Sequence, residues 1–166
     1  MSTPWGRRNP VVAANFNPAL VARLIESSAN GYVTAGGAAM PLAFCYLMAP
    51  LVLHSPTRQS LPRTTRTHLS TWAKKNRLLQ VGLSERTQSL QPFVNEAIRI
   101  GIRHSLIKIS EGGVVLPKNT RYKDAAHTSS VASMVKAAGF VGRWLAQNTE
   151  VSTPFLLLGV RLRADS

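Results

Sequence analysis

Acidic side chains are scarce in this sequence. Seven Asp+Glu stand against 20 Lys+Arg in 166 residues, for a formal net charge of +13 and a pI near 11.3. The acids are scattered at Glu26, Glu85, Glu96, Glu111, Asp124, Glu150 and Asp165. No two of them have the spacing that sets a carboxylate pair on one helical face, so paired general acid–base chemistry is not encoded. A lone cysteine, Cys45, excludes a disulfide framework and a thiolate metal set, and points to a reducing, cytoplasmic setting. His54, His68, His104 and His127 sit in separate segments without His-x-x-x-His spacing, so no metal ligation is expected. Neither Gly36-Gly37 nor Gly112-Gly113 is followed by Lys and Ser or Thr, which a phosphate loop requires. No enzyme, cofactor or metal is expected. Charged residues of both signs reach only 16%, below the roughly 25% of an ordinary domain, and mean hydropathy is near zero. That deficit suggests a surface partly covered by a partner.

The largest gap in charge is continuous. Residues 31–53, GYVTAGGAAMPLAFCYLMAPLVL, hold no ionisable acid or base other than Cys45 and two tyrosines. Such a segment must be buried in protein or in lipid. Pro41 to Leu53 make about 20 Å of helix at 1.5 Å per residue, short of a hydrocarbon core of about 30 Å. Pro50 interrupts the helix near its end. This stretch is therefore predicted to be a buried core helix beginning at Pro41, with no membrane span.

The remaining elements follow in order. Residues 1–15, with Pro4, Gly6 and Pro10, read as an extended arm that Trp5 could anchor, and they lack the apolar core of a signal peptide. Residues 16–166 form one mainly helical domain. Asn17-Pro18 begins a helix, with Asn as cap and Pro in the first turn, and Asn30-Gly31 would stop it. Ser55-Pro56 and Leu61-Pro62 bracket a turn. A helix follows from Arg63, with Leu69 and Trp72 inward, up to a tight turn at Gly82. Ser84 would cap the next helix, with Gln88 reaching back, and Pro92 should kink or split it before His104. Leu106 to Leu116 change period and predict a β-hairpin turning at Gly112-Gly113. Residues 117–127 read as a polar, basic loop. Thr128-Ser129-Ser130 would cap a helix through Gln147, and Pro154 to Val160 form a short helix or edge strand. The fold class is α+β and mostly helical. Two helices about a Gly-containing turn, followed by a hairpin, suit a winged helix-turn-helix-like core.

Positive charge falls in two runs. Arg58, Arg63, Arg66, Lys74, Lys75, Arg77 and Arg86 are opposed only by Glu85. Arg99, Arg103, Lys108, Lys118, Arg121 and Lys123 are opposed only by Glu111. On a winged helix, Arg63, Arg66, Lys74, Lys75, Arg77, Arg99, Arg103, Lys118, Arg121 and Lys123 would meet the phosphates of double-stranded DNA without reading its sequence. An acidic protein surface or plain solvation are the other readings of the same charges. Trp72 and Trp144 lie in helical apolar stripes and belong to the core rather than to base-stacking platforms.

Several blocks together resemble a known family. Asn17-Pro18-Ala19, Met40-Pro41-Leu42-Ala43-Phe44 through Pro50-Leu51-Val52-Leu53-His54, Pro56-Thr57-Arg58 and Leu61-Pro62 are similar to the opening of the middle components of bacterial three-component ABC systems. Phe140-Val141-Gly142-Arg143-Trp144-Leu145, Thr153-Pro154 and Leu157-Leu158-Gly159-Val160-Arg161 are similar to their end. One position departs: Leu162 stands where the last motif usually runs on to proline, which bears on the C-terminal turn. The resemblance implies a small non-catalytic subunit. Its partners would be an ABC ATPase of the SMC/Rad50 kind and an effector subunit, in anti-phage or anti-plasmid systems that include Lamassu-like defence. It also makes Pro41, His54, Pro56, Thr57 and Arg58 the partner-docking or core-organising element. The rival reading is a stand-alone winged-helix DNA-binding regulator.

Overall fold

The computed structural model describes residues 17–118 and 129–162. The expected N-terminal arm, Arg121, Lys123, His127 and the Thr128 cap lie outside them. In chain order the elements are α1 (Pro18–Thr34), β1 (Met40–Pro41), α2 (Ala43–Leu53), α3 (Ser55–Ser60), α4 (Leu69–Lys75), α5 (Arg77–Gln80), α6 (Leu83–Arg103), β2 (Lys108–Ser110), β3 (Gly113–Val115), α7 (Ser129–Leu145) and α8 (Ser152–Leu158). The architecture is mostly helical with a small three-stranded antiparallel sheet, in the strand order β1-β3-β2.

Helix α1 starts as the sequence predicts: Asn17 Oδ1 accepts the Ala19 N–H at 2.9 Å. It does not stop at Asn30-Gly31 but runs to Thr34. Gly31 is a contact residue rather than a terminator, since a Cβ there would lie 2.2 Å from the Gly139 carbonyl oxygen. Farther along the same crossing, a Cβ on Gly142 would lie 1.9 Å from the carbonyl oxygen of Ser28. Ser27 Oγ donates to the Val135 carbonyl oxygen at 2.8 Å across this interface. Glycine at these positions lets the α1 and α7 backbones approach directly, which a helix-stop reading of Asn-Gly does not anticipate.

Helix α2 is the buried centre. Phe44, Cys45, Leu47, Met48, Ala49, Pro50, Leu51 and Val52 are all buried and Ala43, Tyr46 and Leu53 half-buried, so no face of the helix is left to solvent, as its lack of a polar face requires. It begins at Ala43 rather than Pro41, because Met40 and Pro41 form strand β1, paired with Val114 and Gly113. Proline is tolerated there because β1 is an edge strand. Burial pushes the Cys45 thiol up to about 12, so the sulfur is an inert packing group. No helix among the described residues is long and apolar enough to cross a membrane.

Between α2 and α6 the predicted single helix is broken into α4 and α5, and the expected turn at Ser55-Pro56 is the short helix α3. Residues 61–68 between them are held by two indoles. Trp72 Nε1 donates to the Ser60 carbonyl oxygen at 2.8 Å and Trp144 Nε1 to that of Thr67 at 2.7 Å. The two rings meet edge to face at 5.7 Å, in the core as expected. Helix α6 is continuous through Pro92, which is exposed, so the missing N–H falls on the solvent side. Gly82, in the left-handed region at φ 74°, occupies the N-cap position in place of Ser84. Ser84 and Gln88 instead grip the segment after α8: Ser84 Oγ accepts the Arg161 N–H and Gln88 Nε2 donates to the Arg161 carbonyl oxygen, both at 3.1 Å.

The hairpin forms where the period changes. Glu111 and Gly112, at φ 52° and 77°, make a two-residue loop between the paired Ser110 and Gly113, with the positive φ at both positions that a type I′ turn needs. Helix α7 ends at Leu145, two residues before the expected Gln147. The final apolar segment is helix α8, closed by Gly159 at φ 65°. Val160 N–H then bonds the Phe155 carbonyl oxygen at 2.9 Å, the longer bond of a Schellman cap.

Candidate partner-docking groove and basic cleft

The proline-rich segment does not gather into one site. Pro41 sits in the sheet at the start of α2, while His54, Pro56, Thr57 and Arg58 lie beyond the other end of that helix. There His54 is the extended residue that joins α2 to α3, and Pro56 supplies the first turn of α3. Thr57 is fully buried, and its Oγ1 lies 2.7 Å from His54 Nδ1. Arg58 turns back, its Nη1 donating to the Val52 carbonyl oxygen at 2.5 Å. Thr57 and the Arg58 bond are thus structural: they fix the α2–α3 corner and so place His54.

His54 opens onto a groove of about 530 Å³ between that corner and α6, lined chiefly by Pro50, Leu53, Leu90 and Phe93, with Glu85 and Arg86 as its charged lining. Arg86 Nη2 donates to the Leu79 carbonyl oxygen at 2.9 Å, but its Nε is buried and has no hydrogen-bond partner among the described residues. A buried guanidinium N–H left unpaired is costly. Burial, and then the charge of Arg86, lower the His54 pKa below its usual 6.5. The folded chain therefore keeps His54 neutral where the unfolded chain would take a proton. This contribution to stability is fully present above about 6.5 and is lost as the pH falls through that value towards the folded pKa. The unfolding midpoint of the wild type is expected to fall between pH 7.5 and 5.5 more steeply than that of His54→Gln, as measured by thermal melts across that range.

The expected nucleic-acid residues are dispersed. Lys74, Lys75 and Arg77 are exposed before α6, and Arg99 and Arg103 are exposed near its far end. The two sets lie towards opposite ends of the 21-residue α6, roughly 25 Å apart along it at helical rise. Lys118 is exposed after the hairpin, and Arg66 in the loop ahead of α4. Arg63, from that loop, does meet other cations. With Arg58, Lys136 and Arg143 it surrounds a cleft of about 660 Å³, floored by Pro62 and Phe140, and no carboxylate among the described residues lines it.

Sequence reasoning missed Arg86, Leu90 and Phe93 of the groove and Lys136 and Arg143 of the cleft. The signal for the second pair was present, because Lys136, Phe140 and Arg143 repeat at four and three residues and so share one face of α7. Nothing in the spacing of Arg86 foretold its buried Nε. Among the described residues, no group of three His, Cys, Asp or Glu is arranged to hold a metal.

The fold and both concavities can be set beside known proteins. No curated protein and no solved structure matches the chain. A family model, ABC-three component (ABC-3C) system Middle Component 3, matches residues 5–162. Its span takes in every described element and the blocks around Pro41, Arg58, Gly142 and Val160. The chain belongs to the Middle Component 3 family of ABC-three component systems.

Proposed function

We propose that this middle component is a non-catalytic adaptor. It joins an ABC ATPase of the SMC/Rad50 kind to an effector subunit, in a cytoplasmic system directed against phages or plasmids. The observation that carries this reading is the groove beside His54: an apolar trough whose charged lining is Glu85 and Arg86. A segment from a partner subunit that presents an apolar side chain would fill the trough. The low share of charged residues in the chain supports the same reading.

Co-expression with the ATPase and effector encoded beside it tests this. Ser89→Trp, at an exposed position on the groove wall, would plug the trough without touching the core. Phe93→Glu would charge it. Both are expected to cut recovery of a partner by at least about tenfold, on the scale of a lost hot spot. Leu156→Glu, at a site 79% exposed elsewhere, should leave recovery unchanged. Unaltered recovery with Ser89→Trp would remove the groove as the docking site.

A second reading has its own support. Strand β1 falls between α1 and α2 in sequence and pairs beside the hairpin, a connectivity compatible with a winged helix in which Arg99, Arg103, Lys108 and Lys118 meet duplex DNA. A chain that purifies alone and binds duplex DNA with a steep salt dependence would favour a winged-helix regulator over the adaptor.

A further inference from the structure

We propose that the cleft between α7 and the loop after α3 holds one strand of nucleic acid by its phosphates. The inference is independent of the adaptor reading and concerns the opposite partner chemistry, a polyanion rather than an apolar segment. Four cations reach the cleft from three places: Arg58 from α3, Arg63 from the following loop, and Lys136 and Arg143 from α7. The half-buried Arg23 is paired with Glu26, whereas no carboxylate among the described residues lines the cleft. Four like charges around one concavity repel one another and are relieved by a bound anion.

The geometry favours a strand over a compact ion. Lys136 and Arg143 are two helical turns apart on one face, about 10 Å, which spans more than one phosphate at about 3.4 Å of axis per nucleotide in a stacked strand. Between them lies Phe140, half-buried, its ring tilted against Trp144 at 5.6 Å. An aromatic floor beneath a row of cations is the arrangement on which a base stacks while the backbone is neutralised. The small residues Ala132, Ser133 and Ala137 leave the cleft open ahead of Phe140. A volume of about 660 Å³ is in the range that holds a drug-sized ligand, room for a short stretch of one strand.

The opposite wall is held in place. The bond from Arg58 to the Val52 carbonyl oxygen uses one of its N–H groups, and a guanidinium carries five. The loop that presents Arg63 is anchored before and after it by the indoles of Trp72 and Trp144. Such a fixed wall lowers the ordering cost of binding.

Fluorescence anisotropy with a labelled single-stranded 12-mer of mixed sequence tests the proposal, on the full chain. The double variant Lys136→Glu/Arg143→Glu changes two exposed side chains of the cleft. Thr71→Glu/Leu78→Glu/Thr149→Glu/Leu156→Glu makes the same change of net charge at exposed positions outside it. The cleft variant is expected to weaken binding at least about tenfold, and its plot of log affinity against log salt should be shallower by about 1.4, two phosphate contacts at about 0.7 each. The control variant should move affinity by less than about threefold. Phe140→Leu, which keeps the cleft apolar but removes the ring, should weaken binding without altering the salt slope.

Equal losses in the two charge variants would show attraction by net charge alone and overturn the proposal. So would tighter binding of the matching duplex, of a poly-glutamate peptide or of free nucleoside triphosphate than of the 12-mer. Partner recovery, measured on the same cleft variant, keeps the two readings apart: it should be unchanged, so failure of the adaptor idea leaves the cleft standing and the reverse holds equally.

Discussion

Gly142→Ala is expected to cost about 3 kcal/mol of stability, the upper part of the usual range for overpacking. In a chain of this size that lowers the unfolding midpoint by about 6–12 °C. The new Cβ would sit 1.9 Å from the Ser28 carbonyl oxygen, 2.8 Å from its carbonyl carbon and 3.0 Å from its Cα. All three are backbone atoms of α1, so no side chain can swing away and the two helices must part. Parting them also strains the bond from Ser27 to the Val135 carbonyl oxygen. Gly36→Ala is the informative comparison. Gly36 has φ 101° and no atom within 4 Å of a built Cβ, so it carries only backbone strain, about 1–2 kcal/mol. Thermal and urea unfolding followed by circular dichroism should rank Gly142→Ala well below Gly36→Ala. Equal losses would mean that the α1–α7 crossing relaxes more readily than its geometry implies.

The second large effect is at Trp144. Trp144→Ala should cost about 3–5 kcal/mol, as for other buried aromatic truncations, since the ring is 1% exposed and packs on both Trp72 and Phe140. Trp144→Phe separates packing from hydrogen bonding. It keeps an aromatic ring but removes the donor to the Thr67 carbonyl oxygen, a loss of about 1–2 kcal/mol. The greater change is local: the loop carrying Arg63 and Arg66 loses one of its two anchors. Limited trypsin digestion should then cut after Arg63 and Arg66 faster than in the wild type, while sites on the helices keep their rates. Unchanged cleavage in the loop would show that the indole bond does not hold it.

Where local chemistry decides the structure, the sequence could be followed closely. The Asn17-Pro18 start, the hairpin about Gly112 and the burial of most of α2 all follow from signals within a few residues. The misreadings share a cause. Asn30-Gly31 carries a helix-stop signal, yet Gly31 is there for Gly139, more than 100 residues away. Ser84 has a capping residue's chemistry, yet its hydroxyl serves Arg161. Met40-Pro41 belongs to an apolar run, yet its backbone pairs with β3. A tertiary partner redirects the local preference in each case, and a single sequence does not name that partner. The candidate sites follow the same division. The basic runs are plain in the sequence, but only the fold selects Arg58 and Arg63 from them, joins them to Lys136 and Arg143, and leaves Lys74 and Arg99 at opposite ends of α6.

The smallest strand has a mechanical meaning. The two residues of β1 run directly into α2 with only Leu42 between, and Leu42 N–H itself bonds the Gly112 carbonyl oxygen at the hairpin tip at 3.4 Å. The hairpin is therefore not a flap on a hinge. A push on its tip is borne by the first turn of the central helix, whose far end sets the corner that holds His54. A load at the hairpin and an occupant of the groove thus bear on opposite ends of one rigid rod, 11 residues long.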